Sequence, residues 1–259
     1  MDSQKFAVLS TDANPIYSLL TPITAYLWSE LIGYTPFVYI VGDVPGWIVE
    51  KTREARALVQ AVAEIENVPR WRLAQSVRLF AGREPHFSDD AYLLMTDADM
   101  WPLSRDHFQA RFDWSKELHI FNAWGMSPQE TEYPMCYLGA RARLWRELLG
   151  QDTVAGCCQT RDQLYISERI RRWPGFKDRT QKLRRPLDPR FKGFHMRYTD
   201  RIDKVEWRAL RPGDVDTHLP KQRTQATWDL LSDLLKGLGI YRPWVQDYVN
   251  QARTFERPA

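Results

Sequence analysis

The strongest constraint in this sequence is an apolar run, residues 91–95, followed closely by Asp97-Ala98-Asp99. Its length and composition predict a strand buried on both faces, and Pro102 marks where a regular element must stop. Side chains two apart in an extended chain lean to the same side. Asp97 and Asp99 can therefore grip one hard cation through their oxygens, and Ala98 between them leaves room for a large ligand.

The amino-terminal part of the chain predicts parallel strands. Residues 6–9 form a short apolar run, residues 16–31 repeat apolar side chains at helical spacing, and residues 37–41 form a second apolar run. A strand, helix and strand in this order give a right-handed crossover. The loops at Thr11 and Asp43 then open on the same edge of an α/β sheet, where ligands bind.

Each polar residue in these loops has two possible interpretations. Asp12 and Asn14 are helix-capping types, but they could also hydrogen-bond to a base or ribose beside Thr11, with Tyr17 as a stacking face. Asp43 could bind ribose hydroxyls or start a turn.

The next stretch, residues 47–82, has a helical composition with a break at residues 67–69. Arg78, near its end, is either a surface residue or a contact to phosphates at the same edge of the sheet.

A further helix is predicted from residue 159 to residue 170. It places Asp162 and Gln163 in its first turn. An acid in this position is stabilised by the helix dipole; alternatively, the two polar side chains point into the site. The basic segment 169–192 carries ten Lys or Arg against two Asp and is expected to be an irregular loop that could close over a leaving group. His195 follows a short aromatic stretch and could complete the ligands of the cation.

Composition limits the remaining choices. The chain has 259 residues, 44% of them hydrophobic, and three cysteines without disulfide or zinc spacing. A soluble, cytoplasmic protein is expected, since no segment approaches 18 consecutive apolar residues. A catalytic domain at residues 1–198 and a C-terminal extension at 199–259, packed on the same domain and offering helices for an oligomer contact, are predicted. A net charge of +3 argues against a nucleic-acid partner.

The order of these motifs resembles the retaining GT-A glycosyltransferases of family 8, which include glycogenin and bacterial galactosyltransferases. The loop 11–17 is similar to the family's uridine-binding loop, and residues 76–79 resemble the helix whose arginine, Arg78 here, approaches the donor. Asp97-Ala98-Asp99 matches the metal motif, residues 133–145 look like the family's donor-sugar strand and helix, Asp162-Gln163 matches a motif at the sugar ring, and His195 matches the third metal ligand. The resemblance implies a mixed, mostly parallel GT-A sheet, Mn²⁺ or Mg²⁺, a UDP-sugar donor and a glycan or other hydroxyl acceptor.

Some positions depart from the family pattern. Leu164 and Ser167 replace an acid and an asparagine, and Met196-Arg197-Tyr198 stands where Lys-Pro-Trp is expected. A phosphate contact would then come from Arg197, Lys192 or the basic segment.

Three alternatives stay open. One is an inverting enzyme with Asp162 as general base, and another is a metal-dependent nucleotidyltransferase or phosphotransferase. The third is a basic module that binds RNA.

Overall fold

The computed structural model describes residues 4–121, 132–183, 216–219 and 224–255. Over these residues the strands are β1 (Lys5–Thr11), β2 (Thr35–Val41), β3 (Leu58–Val62), β4 (Tyr92–Met95), β5 (Met100–Pro102), β6 (Leu118–Phe121), β7 (Leu138–Arg141), β8 (Thr180–Leu183) and β9 (Asp216–His218). The helices are α1 (Pro15–Ser18), α2 (Thr21–Leu27), α3 (Gly46–Glu54), α4 (Arg70–Val77), α5 (Arg105–Gln109), α6 (Ala142–Leu149), α7 (Val154–Cys157), α8 (Asp162–Arg172), α9 (Gln225–Gly237) and α10 (Pro243–Phe255). A π-helical turn, Trp28–Ile32, extends α2, and a 3-10 helix, Arg78–Arg83, extends α4.

Seven strands form one mixed sheet in the order β3-β2-β1-β4-β7-β6-β8. Strands β1 to β4 are mutually parallel, β7 runs antiparallel to both β4 and β6, and β8 is parallel to β6. The sheet is therefore mostly parallel, with β7 as its single reversed strand among the described residues. In the centre of the sheet, Val8 lies beside both Phe37 and Met95.

Alternating side chains of the central strands belong to two separate hydrophobic cores, because successive residues in a strand point to opposite faces of the sheet. Ala7 and Leu9 of β1 pack with Leu94 of β4 against α2, α9 and α10. Val8 and Met95 pack on the opposite face against α4, α6 and α8. Burial on both faces explains why β1 and β4 read as continuous apolar runs.

The predicted strands at 6–9, 37–41 and 91–95 and the predicted α/β class are confirmed. The predicted helical stretch at 16–31 is also confirmed, and it ends at Gly33, which takes a left-handed conformation (φ +84°) behind the π-helical turn. That conformation is favourable for glycine because it has no Cβ.

Two predictions about local structure are wrong. Residues 47–82 are not helical throughout, because β3 lies within them as the edge strand beside β2. The basic segment after the predicted helix is also not irregular throughout the described residues. Helix α8 continues to Arg172, and β8 pairs with β6.

The C-terminal helices pack on the helices that cover one face of the sheet. Trp228, Leu231 and Val249 join the core that contains α2, and the Tyr248 hydroxyl donates a hydrogen bond to the carbonyl of Leu19 at 2.7 Å. The predicted boundary between residues 198 and 199 lies outside the described residues and stays a prediction. Within the residues that are described, no helix is long and apolar enough to cross a membrane.

Candidate active site

A cleft of about 400 Å³ opens where β1 and β4 end. This volume is typical of small-molecule sites, and the carboxyl ends of parallel strands are where α/β sheets bind ligands. Most of the predicted site residues line it. The lining residues are Ser10, Thr11, Asp12, Tyr17, Trp71, Ala74, Gln75, Arg78, Asp97, Ala98, Asp99, Met135, Asp162, Gln163 and His218.

The loop with the two aspartates is fixed from three directions through its backbone carbonyls. The buried Thr24 hydroxyl of α2 donates to the carbonyl of Ala98 at 2.6 Å, and Arg78 donates to the carbonyl of Thr96 at 2.6 Å. The backbone N–H of Leu219, next to β9, donates to the carbonyl of Asp99 at 2.9 Å. Three distant parts of the chain therefore hold the two acids at the floor of the cleft.

An imidazole that the sequence reasoning missed stands beside Asp99. Strand β9 pairs antiparallel with β5 and sets His218 opposite Met100. The Nε2 atom of His218 lies 2.9 Å from Oδ2 of Asp99, whose residue is 7% exposed. No local sequence pattern distinguishes His218 from the other histidines. Its position depends on pairing with Met100, which lies 118 residues earlier in the sequence.

The predicted histidine ligand, His195, and the predicted phosphate contact, Arg197, both lie outside the described residues. Their roles stay predictions.

Arg78 joins the first aspartate to the acid of α8. Arg78 is buried, with 5% of the residue exposed, and its guanidinium pairs with Oδ1 of Asp97 and lies 3.3 Å from Oδ2 of Asp162. Burial lowers the pKa of Arg78, but the two carboxylates outweigh burial and raise its pKa overall. Arg78 therefore stays charged and carries positive charge into the floor of the cleft.

Asp162 begins α8 and faces the cleft rather than only stabilising its own helix. Its Oδ1 accepts a hydrogen bond from the N–H of Gln163 at 2.8 Å. Burial raises the pKa of Asp162, with Asp97 adding to the shift and Arg78 opposing it. A carboxylate with a raised pKa in a cleft is a candidate for proton transfer.

A thiol also contacts the acidic loop. Cys136, just before β7, hydrogen-bonds through its side chain to Asp97. Burial raises the pKa of this thiol, and the charges of Asp97 and Asp99 raise it further. Cys136 is therefore a neutral neighbour of the acidic loop.

The loop after β1 divides between structural and cleft-facing roles. Asn14 caps α1, since its Oδ1 accepts from the N–H of Ile16 at 3.0 Å. Asp12 accepts from the N–H of Asn14 at 3.1 Å and still lines the cleft with Thr11 and Tyr17. The loop thus presents one carboxylate, one hydroxyl and one aromatic ring to a ligand.

Asp43 is not brought to the wall of this cleft. Its side chain is 97% exposed, and its carboxylate lies 3.9 Å from Arg70 in the first turn of α4.

In the described part of the chain, the acidic and histidine side chains are not already arranged around a common point where a cation could bind. Among the described residues, no group of three or more His, Cys, Asp or Glu side chains is arranged to hold a metal ion. The reason is visible at Asp97, whose carboxylate is turned to Arg78 while Asp99 is turned to His218.

The mostly parallel sheet, the helices on both faces and the cleft at the ends of β1 and β4 define a GT-A, Rossmann-like fold. The galactosyltransferase LgtC, solved in complex with donor and acceptor sugar analogues, shares it with a TM-score of 0.51. The two are 14% identical over 90% of this chain and 94% of LgtC. The predicted GT-A fold is thereby confirmed.

A second solved glycosyltransferase, GlyE from Streptococcus pneumoniae TIGR4, matches with a TM-score of 0.45 and 14% identity over 70% of this chain and 45% of GlyE. No family model and no curated protein sequence matches the chain.

Proposed function

We propose that this protein transfers a sugar from a nucleotide diphosphate, UDP in the first instance, to a hydroxyl acceptor with retention of anomeric configuration, and that a divalent cation assists. The observation that carries the proposal is the grouping of Arg78, Asp97, Asp99, Asp162 and His218 in one cleft at the carboxyl edge of a GT-A sheet. The donor and acceptor sugar analogues in LgtC support the same class of substrates.

The residues present suit Mn²⁺ or Mg²⁺ in their chemistry. Carboxylate oxygens are preferred ligands of both ions, and an imidazole nitrogen is a common ligand of transition metals. We propose that Asp97, Asp99 and His218 hold the cation, with Asp97 exchanging its contact to Arg78 for the ion. When bound, the cation supplies Lewis-acid stabilisation of the charge that grows on the departing diphosphate.

The protein's own side chains would perform the remaining tasks. Arg78 places a fixed positive charge beside the acids, where it can hold a phosphate oxygen or a sugar hydroxyl in a position set by its own buried hydrogen bonds. Asp162 and Gln163 face the same space and would orient the sugar ring. Asp12 would hydrogen-bond to the ribose or base.

One observation favours a second stereochemical course. Asp162 has a raised pKa and lies in the cleft, so it could remove the proton of the acceptor hydroxyl as general base, which would invert the configuration. The anomeric proton of the product, followed by NMR from the start of the reaction, distinguishes the two courses.

The proposal is tested by Asp97→Asn, Asp99→Asn and His218→Ala. We expect each change to lower Mn²⁺-dependent turnover of a UDP-sugar at least about 100-fold, since cation stabilisation of a leaving group contributes several kcal/mol. Mn²⁺ binding, measured by electron paramagnetic resonance, should weaken in the same variants.

Two exposed positions provide matched controls. Asp106→Asn changes an acid whose side chain is 71% exposed, and His86→Ala changes an exposed histidine. Both controls should keep wild-type turnover and Mn²⁺ affinity. Full activity of the Asp97 and Asp99 variants without metal would rule the proposal out, and release of inorganic phosphate or a transferred nucleotide instead of a sugar would reassign the reaction.

A further inference from the structure

A large aromatic side chain stands at the mouth of the cleft without a role in the chemistry described above. Trp71, in the first turn of α4, is 50% exposed and lines the cleft. Ala74, Gln75 and Arg78 follow it at three, four and seven positions and line the cleft as well, which is the spacing of one helix face. At 1.5 Å per residue, Trp71 lies about 10 Å along the helix from Arg78.

The indole of Trp71 is held in place on one side. The guanidinium of Arg72 lies over the ring, 4.8 Å from its centroid. Arg72 is itself anchored, because its Nη1 donates to the carbonyl of Cys158 at 3.2 Å. A cation over one face fixes the ring, and half of the Trp71 surface stays exposed.

The surroundings of Trp71 indicate which part of a ligand it meets. Arg70, the residue before it, lies near enough to Asp12 and Asp43 for their charges to raise its pKa, behind the larger effect of Glu64. Asp12 and Tyr17 line the same cleft from the loop after β1 and from α1. Trp71 lines the same cleft as Asp12 and Tyr17 and lies about two helical turns from Arg78.

We propose that Trp71 is the aromatic surface on which the nucleobase of the donor stacks, with Tyr17 as a second aromatic wall, while the diphosphate extends down α4 to Arg78 and the acidic pair. This inference rests on the proposed function and adds a residue that determines how the nucleotide is held. Stacking on an aromatic ring tolerates any base, since every base has a π face. The choice between bases then falls to hydrogen bonds, such as those that Asp12 can accept.

Binding of nucleotide fragments without metal tests this role. UMP, CMP and ribose 5-phosphate are titrated by calorimetry into the wild type, Trp71→Phe, Trp71→Ala and the control Trp114→Phe, whose tryptophan is 37% exposed and lies under Lys5. We expect Trp71→Ala to weaken UMP and CMP alike by roughly 5- to 100-fold and Trp71→Phe to retain most of the affinity. Ribose 5-phosphate should bind all four proteins equally, and Trp114→Phe should resemble the wild type.

The results separate this inference from the proposed function. If the wild type transfers sugar but Trp71→Ala binds UMP as tightly as the wild type does, the stacking role is wrong and the function stands. If Trp71→Ala changes only the KM for the acceptor, the tryptophan belongs to the acceptor and the inference is overturned. If the wild type binds neither UMP in this titration nor UDP in the presence of Mn²⁺, the proposed function is wrong and the inference is overturned with it. Thermal melts of each variant confirm that it is folded.

Discussion

Replacing His119 by phenylalanine is expected to remove a defined part of the pH dependence of this protein's stability. His119 lies in β6, is 1% exposed and uses both ring nitrogens. Nε2 lies 3.2 Å from the carbonyl of Asp113, which can only accept, so Nε2 carries the proton. Nδ1, 3.2 Å from the Tyr92 hydroxyl, then accepts. The folded protein thus holds a neutral imidazole.

The magnitude of the effect follows from the pKa of His119. Burial lowers this pKa from 6.5 to about 4. Between these values the unfolded chain binds a proton that the folded protein does not, so the free energy of unfolding falls as the pH falls. The contribution is fully present above pH 6.5 and is lost on acidification towards pH 4. At about 1.4 kcal/mol for each pH unit, the loss reaches about 3 kcal/mol.

Urea unfolding of the wild type and of His119→Phe at several pH values between 7.5 and 4 measures this directly. Carboxylates titrate in both proteins, so the difference between the two free energies isolates the imidazole. As the pH falls, we expect the free energy of unfolding of the wild type to decrease by about 3 kcal/mol more than that of the variant. His86→Phe, at an exposed position, should leave the pH profile unchanged. Parallel wild-type and His119→Phe profiles would show that His119 is not held neutral by burial.

Two further substitutions test the packing of the sheet and of the acidic loop. Gly139→Ala should destabilise the protein by about 1–3 kcal/mol in urea unfolding, because a Cβ there would overlap the ring and hydroxyl of Tyr92. Gly46→Ala, with no atom within 4 Å of the added Cβ, should leave stability unchanged or raise it by up to about 1 kcal/mol; equal losses would contradict the packing argument. Thr24→Val should weaken Mn²⁺ binding because the carbonyl of Ala98 loses its 2.6 Å donor, at a cost of about 1–3 kcal/mol, whereas Thr24→Ser should retain it. Equal affinities of the two Thr24 variants, by electron paramagnetic resonance, would exclude a role for this hydroxyl.

The parts of the fold that could be predicted from sequence are those with a strong local signal. Residues 91–95 read as a buried strand because both faces are covered, and the acids after it mark the ligand edge. Arg78 and Asp162 could be proposed for the same edge from the ends of their helices. The structure adds that one guanidinium lies between Asp97 and Asp162, a contact that local spacing could not reveal.

The parts that were missed depend on pairing across the chain. The composition around β3 predicts helix because β3 is a short edge strand in a segment rich in helix-forming residues, and only its register with β2 makes it extended. His218 acquires its place from three residues of β9 that pair with β5. The sequence around Trp71 gives no sign of which face of its helix borders a cleft.

The short pairing of β5 with β9 has a consequence for synthesis of the protein. The main sheet can form from residues before 184, yet the imidazole beside Asp99 arrives only with residue 218. While β9 has not yet emerged from the ribosome, the acidic loop lacks both the backbone donor of Leu219 and the imidazole of His218. Nascent chains should therefore complete the acidic side of the cleft in a late step, after most of the sequence has been translated.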